Sequence, residues 1–226
     1  MGNRNTVPVA AFVPIRLGSK RVKNKSVLPI AGRPMFCWCL ESLDELEIPV
    51  YVYTNDIEVL KSMLDFDTKN ITFLPRSVDL DEDNTRGIEI YRSFAKDVPA
   101  EVYLLAHCTS PFLKKTTYEK ILSAVTKGGY DSSCTVERKQ TFSWFDDIPL
   151  NFSIPRKQTQ LIEPVFIETS AAYCYRADVL ATSSRSGKRH KLCETTPLES
   201  VDIDTPQDVE MLEFLINRLG RRTDEN

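Results

Sequence analysis

The sequence predicts an α/β fold with a mostly parallel central sheet and helices on both faces. Two observations carry this. Short apolar runs alternate with segments of helical periodicity, in the order β-α-β-α-β-α-β-α-β between residues 7 and 136. The runs are almost continuously apolar, as strands covered on both faces are. At 226 residues, 42% hydrophobic and 27% charged, the composition is that of one globular domain spanning 1–226.

Residues 7–15 read as a buried first strand. Pro34 opens a helix, with Met35, Trp38, Cys39 and Leu43 at helical spacing. A second strand covers 50–54, and Asp56 is placed to cap the helix carrying Val59, Leu60 and Met63. A third strand covers 71–74. An acidic loop at 79–83 leads into a helix over 85–95. A fourth strand covers 102–106. Thr116 or Thr117 then caps a helix with Tyr118, Ile121, Leu122 and Val125 on one face, ended by Gly128-Gly129. The fifth strand covers 131–136.

The alternation breaks over 138–166, which holds three prolines, two lysines and two arginines without a clear period. This stretch reads as an excursion from the core, a small β flap or an oligomer contact. A strand at 167–175 and a helix over 206–219 restore regularity. The cluster Arg185, Lys188, Arg189, His190, Lys191 reads as a solvated loop.

Composition removes several function classes. The net charge of −3 gives no broad attraction to nucleic acid or an anionic membrane. Eight glycines contain neither a G-x-G-x-x-G nor a P-loop spacing. Six cysteines without a C-x-x-C pair, and only two histidines, speak against structural zinc. They read as free thiols of a reducing compartment. With no signal-peptide pattern and no apolar run near ~18 residues, a cytoplasmic location is expected.

Two features point to chemistry. The loop from Arg16 to Lys25 carries five cations and no acid, directly after the first strand. Ligands of open parallel sheets bind beyond the carboxyl ends of strands, so a polyanion such as a nucleoside triphosphate is expected there. The second feature is Asp202-Ile203-Asp204. At a strand end, residues two apart share a face, and two such carboxylates suit Mg²⁺. The competing reading has Asp204 cap the helix at Pro206, with Thr205 assisting.

The run Val13-Pro14-Ile15-Arg16-Leu17-Gly18-Ser19-Lys20-Arg21-Val22, with Lys25, resembles the signature loop of the CMP-sugar synthetases, the acylneuraminate cytidylyltransferases and their relatives. Gly32-Arg33-Pro34-Met35, Thr54-Asn55-Asp56, Thr109-Ser110-Pro111-Phe112 and Val201-Asp202-Ile203-Asp204-Thr205 are similar to later motifs of that family, in order. The chain departs from the pattern at Ser26, where the family has Asn. It departs again at His107-Cys108, where the family has Gln-Pro.

The resemblance implies a Rossmann-like nucleotidyltransferase fold and transfer of CMP from CTP to an acidic 2-keto-3-deoxy sugar. That sugar would be sialic acid or a related nonulosonic acid. Arg16 and Lys25 would be catalytic, and Leu17, Gly18, Ser19 and Arg76 would contact the nucleotide. His107, Thr109, Ser110 and Glu168 would contact the sugar, and Arg156 or Lys157 would meet its carboxylate. Asp202 and Asp204 would hold Mg²⁺ or Mn²⁺. The partners implied are CTP and the acidic sugar, with a homodimer built through the excursion. Another acceptor such as 3-deoxy-octulosonate, another nucleotide, or a non-catalytic sugar-nucleotide-binding role are the competing readings.

Overall fold

The computed structural model describes residues 6–18 and 22–219. Strand β1 (Val7–Pro14) is followed by a small hairpin of β2 (Pro29–Ile30) and β3 (Arg33–Pro34), then α1 (Met35–Asp44). Next come β4 (Val50–Thr54), α2 (Ile57–Ser62), β5 (Ile71–Pro75), α3 (Gly87–Asp97), β6 (Ala100–Ala106) and α4 (Lys115–Thr126). Strand β7 (Ser132–Lys139) leads through a second hairpin of β8 (Trp144–Phe145) and β9 (Ile148–Pro149) to the long β10 (Val165–Arg176). Helix α5 (Ala177–Ala181), strand β11 (His190–Glu194) and helix α6 (Pro206–Leu219) close the chain.

Seven strands form one sheet in the order β11-β7-β10-β6-β1-β4-β5. The pairs β1/β4, β1/β6, β4/β5 and β7/β11 are parallel, and only β10 runs against its two neighbours. The expected mostly parallel sheet is therefore present. Its strand order reverses beside β1, because β4 and β5 lie to one side and β6 to the other. In such sheets the crevice at the reversal, beyond the strand carboxyl ends, is where ligands bind.

Side chains of β1 serve both faces. Ala11 and Val13 join Phe36, Leu40 and Leu43 of α1 and Tyr118 and Ile121 of α4. Ala10 and Phe12 join Tyr91 and Phe94 of α3, with Val179 and Leu180 of α5. The Phe94 ring stacks on Phe12 at 4.2 Å between centroids, and Tyr51, Tyr53 and Tyr103 surround it. A third cluster of Ile30, Met35, Ile203, Leu212 and Ile216 fastens α6 to the first hairpin. Burial of Ile203 holds the acid pair on either side of it at a defined depth.

Several expectations are corrected. Asp56 stands at the start of α2 but makes no side-chain cap; its carboxylate turns to the loop after β1. Thr117 does not cap α4. Its hydroxyl donates to the buried Glu199 carboxylate, which also accepts the Lys114 amide and ties α4 to the segment before the acid pair. His190 and Lys191 are not loop residues but open the edge strand β11. Helix α5 and strand β11 were not expected at all.

The excursion is an arm. Strands β7 and β10 pair out to Val165–Lys139, and residues 140–164 form its tip. There the Arg156 guanidinium lies over the rings of Phe142, Trp144 and Phe152 at 5.3, 5.7 and 5.3 Å. Among the described residues, no helix is long and apolar enough to cross a membrane.

Candidate active site

The loop after β1 is fastened from three directions. The Arg16 guanidinium donates to the Asp81 carbonyl at 2.8 Å and lies 3.9 Å from the Asp83 carboxylate. The Leu17 amide donates to Asp56 at 3.3 Å, and the Gly18 amide to the Asn24 side chain at 3.3 Å. Ser19, Lys20 and Arg21 lie outside the described residues. The one-sided charge of this loop in sequence is thus met in space by acids from the 79–83 loop.

Arg76 is deeply buried beneath this loop rather than exposed in it. Its guanidinium donates to the carbonyls of Ile15 and Tyr53, at 3.2 and 3.3 Å, and to the Asp81 carboxylate. Its Nε has no partner. Arg76, expected to contact the nucleotide, here acts as a strut that joins the ends of β1 and β4 to the acidic loop.

Lys25 links the two halves of the site. Its half-hidden ammonium donates to the Ile203 carbonyl at 2.5 Å and to Asp204 Oδ1 at 3.1 Å. Residues 201–204 are not a strand; the Ile203 amide instead bonds the Thr109 carbonyl at 3.0 Å. The capping alternative is answered by the next residues. The Asp208 amide donates to the Thr205 hydroxyl, while the Asp208 carboxylate accepts the Asp204 and Thr205 amides at 2.9 and 2.7 Å. Thr205 and Asp208 form the reciprocal cap, and the Asp204 carboxylate faces Lys25.

Asp202 Oδ1 and Ser110 Oγ are buried without a hydrogen-bond partner. A buried carboxylate oxygen with nothing to accept from is costly in an apo fold, and a cation would satisfy it. Among the described residues no three His, Cys, Asp or Glu side chains gather into a metal cage. Mg²⁺ needs none, since one or two carboxylates plus substrate phosphates and water complete its shell. The Asp202/Asp204 donor set therefore fits Mg²⁺ or Mn²⁺.

On the acceptor side, both His107 nitrogens are taken. Nδ1 donates to the Ser170 carbonyl at 2.6 Å, so Nε2 is left to accept the Tyr91 hydroxyl at 3.3 Å. Tyr91 reaches it because residue 87 is glycine: a Cβ there would stand 2.7 Å from the Tyr91 oxygen. Ser170 sits at a break in the β7–β10 register with φ of +58°, which turns its carbonyl toward His107. Glu168 is exposed and accepts the Tyr173 hydroxyl at 3.0 Å. The Thr109 carbonyl meets the acid segment through the Ile203 amide, and the Ser110 amide donates to the His107 carbonyl at 3.4 Å. Tyr91 escaped the sequence reading because its spacing on α3 is that of a core aromatic.

Burial pushes the His107 imidazole below its usual value, with Arg185 and Lys25 acting in the same direction and Asp202 opposing. Burial likewise pushes His190 down. Both imidazoles take up a proton less readily in the fold than in the unfolded chain. The unfolded chain therefore binds more protons than the fold in the window below about pH 6.5. Stability is predicted to fall as pH drops through that window. In urea titrations, the loss between pH 7.5 and 5.5 should be smaller in His107→Gln than in wild type; an equal loss would contradict the assignment.

A family model for cytidylyltransferases matches residues 10–216. N-acylneuraminate cytidylyltransferase A of Danio rerio is 25% identical over 96% of this chain and 53% of its own length. N-acylneuraminate cytidylyltransferase of Oncorhynchus mykiss is 27% identical over 94% of this chain and 51% of its own. The chain thus spans about half the length of these curated relatives. Among solved structures, CMP:2-keto-3-deoxy-manno-octonic acid synthetase complexed with CTP superposes with a TM-score of 0.68 at 18% identity. That match covers 94% of this chain and all of the other. The family match, running from β1 into α6, includes the fastened loop, Lys25 and the acid pair, and the chain belongs to the cytidylyltransferase family.

Proposed function

We propose that this protein transfers CMP from CTP to the anomeric hydroxyl of an acidic 2-keto-3-deoxy sugar, releasing pyrophosphate. The observation that carries the reading is the junction of Lys25 with Ile203 and Asp204, beside the unpartnered Asp202 oxygen. It brings a cation and two carboxylates together at the sheet's reversal point. The relatives named N-acylneuraminate cytidylyltransferase support a nonulosonic acceptor, and the octonic acid synthetase supports the same reaction class on a shorter acid.

In this reading Asp202 and Asp204 hold Mg²⁺, which when bound offsets charge on the triphosphate. Arg16 and Lys25 orient the phosphates and stabilise charge that builds as pyrophosphate departs. Such positioning and electrostatics carry phosphoryl-type transfer with little covalent work by the protein. Lys25 is preset for this by its two protein acceptors. Incubation with each nucleoside triphosphate, Mg²⁺ and either N-acetylneuraminate or 3-deoxy-octulosonate should release pyrophosphate with CTP and one acid. Silence across the panel would overturn the reading in favour of a non-catalytic binding role.

The arm makes the protein a homodimer in this account. Phe145, Ile148, Leu150 and Ile154 at its tip are 61–76% exposed, an apolar surface that a second copy would cover. Sedimentation should read about twice the 25.8 kDa chain mass, and Phe145→Glu should halve it; a wild-type monomer would contradict this.

A further inference from the structure

We propose, resting on the transfer reading above, that Arg185 is the specificity-determining cation of the acceptor pocket. It takes the acceptor's carboxylate and so makes an acid, rather than a neutral sugar, the accepted substrate.

Arg185 lies between α5 and β11, and its Cζ sits 3.9 Å over the Tyr173 ring and 5.9 Å from that of Tyr91. Stacking occupies the face of a guanidinium and leaves its N–H edge, part of which meets the Tyr91 hydroxyl while the remaining N–H groups are the kind that bind a carboxylate. Among the described residues, no carboxylate stands within 4.0 Å of it. Glu168, the acid on this wall, is engaged by the Tyr173 hydroxyl.

The loop that carries Arg185 is built in place. The Thr182 and Ser183 amides bond the carbonyls of Val179 and Leu180 before it. After it, the Gly187 amide donates to Ser132 Oγ at 2.7 Å, and the Arg189 amide donates to Asp131 at 3.0 Å. The Ser132 hydroxyl is also hydrogen-bonded to His190 Nδ1 at 2.6 Å. A Cβ at residue 187 would stand 2.6 Å from the Asp131 Cβ, so only glycine lets the loop lie this close.

Position assigns this cation to the acceptor. The His107 ring stands 6.2 Å from that of Tyr173, on which Arg185 stacks, and Arg185, Asp202 and Lys25 are all near enough to act on the His107 charge. Of the other candidates, His107 has no free nitrogen, and Arg156 stands on the arm tip, beyond the last β7–β10 pair at Val165 and Lys139.

The test uses the full chain with CTP and Mg²⁺, and compares N-acetylneuraminate and 3-deoxy-octulosonate with their C1 carboxamides. Arg185→Gln is expected to raise KM for the accepted acid about 10- to 100-fold, the range for loss of a charge-assisted bond. KM for CTP should hold within about twofold, and the preference for acid over carboxamide should collapse by a similar factor. Arg185→Lys, which keeps the charge but not the fork, should fall between. Retained acid preference in both variants would overturn the inference while wild-type turnover leaves the transfer reading standing. A matched rise in KM for CTP would overturn it in favour of a nucleotide contact. If wild type transfers CMP to neither acid nor carboxamide, the transfer reading fails and the inference with it.

Discussion

Asp202→Ala should leave the fold as stable as wild type, or more stable, while lowering Mg²⁺-dependent pyrophosphate release by about 10²- to 10³-fold. The two effects come from one atom. Asp202 Oδ1 is buried with no donor, and a buried acceptor without a partner costs about 1–3 kcal/mol. Removing it relieves that cost and also removes a ligand. Functional groups held at the expense of stability behave in this way. Thermal melts without metal would read the first effect. Titration of Mn²⁺ by electron paramagnetic resonance, with CTP present, would read the second as weakened binding. A variant that melts lower and keeps full activity would show that Asp202 is structural.

Lys25→Met is expected to lower kcat by a comparable factor, and its stability effect has the opposite sign. The Lys25 side chain is 14% exposed, and its ammonium joins the Ile203 carbonyl and Asp204 across 178 and 179 residues of chain. Methionine keeps the apolar stem but leaves that carbonyl and carboxylate without their donor. The Asp204 side chain is 45% exposed, so water screens part of the loss, and about 1 kcal/mol is expected. Lys25→Arg should not restore wild-type rates, because a planar fork cannot reproduce one ammonium between two acceptors. Denaturant midpoints and single-turnover rates would check both. Unchanged single-turnover rates would limit Lys25 to a structural link.

The core strands β1, β4 and β6 were readable because each is a largely apolar run buried on both faces. β11 was not, because Lys191, Leu192 and Glu194 are exposed at a sheet edge, where strands carry polar and charged residues. Helix α5 has five residues, too few for a periodicity to register.

The site divides in the same way. Arg16, Lys25, Asp202 and Asp204 stood out as charge patterns flanking apolar strands, and the fold brings Lys25 to Asp204. Arg76 is a lone cation ahead of the acidic 79–83 loop, yet sits buried on three protein acceptors, and no local pattern signals that burial. The roles of His107 and Arg185 depend on Tyr91 and Tyr173, which come from α3 and β10. Only tertiary packing brings them together.

The most direct test of the account follows the α-phosphate itself. CTP labelled at that phosphorus should pass its label to the acidic sugar in a one-to-one ratio with pyrophosphate, only when acceptor and Mg²⁺ are both present. Label recovered as free CMP without dependence on acceptor, or label that stays in CTP with every acid tried, would contradict the account.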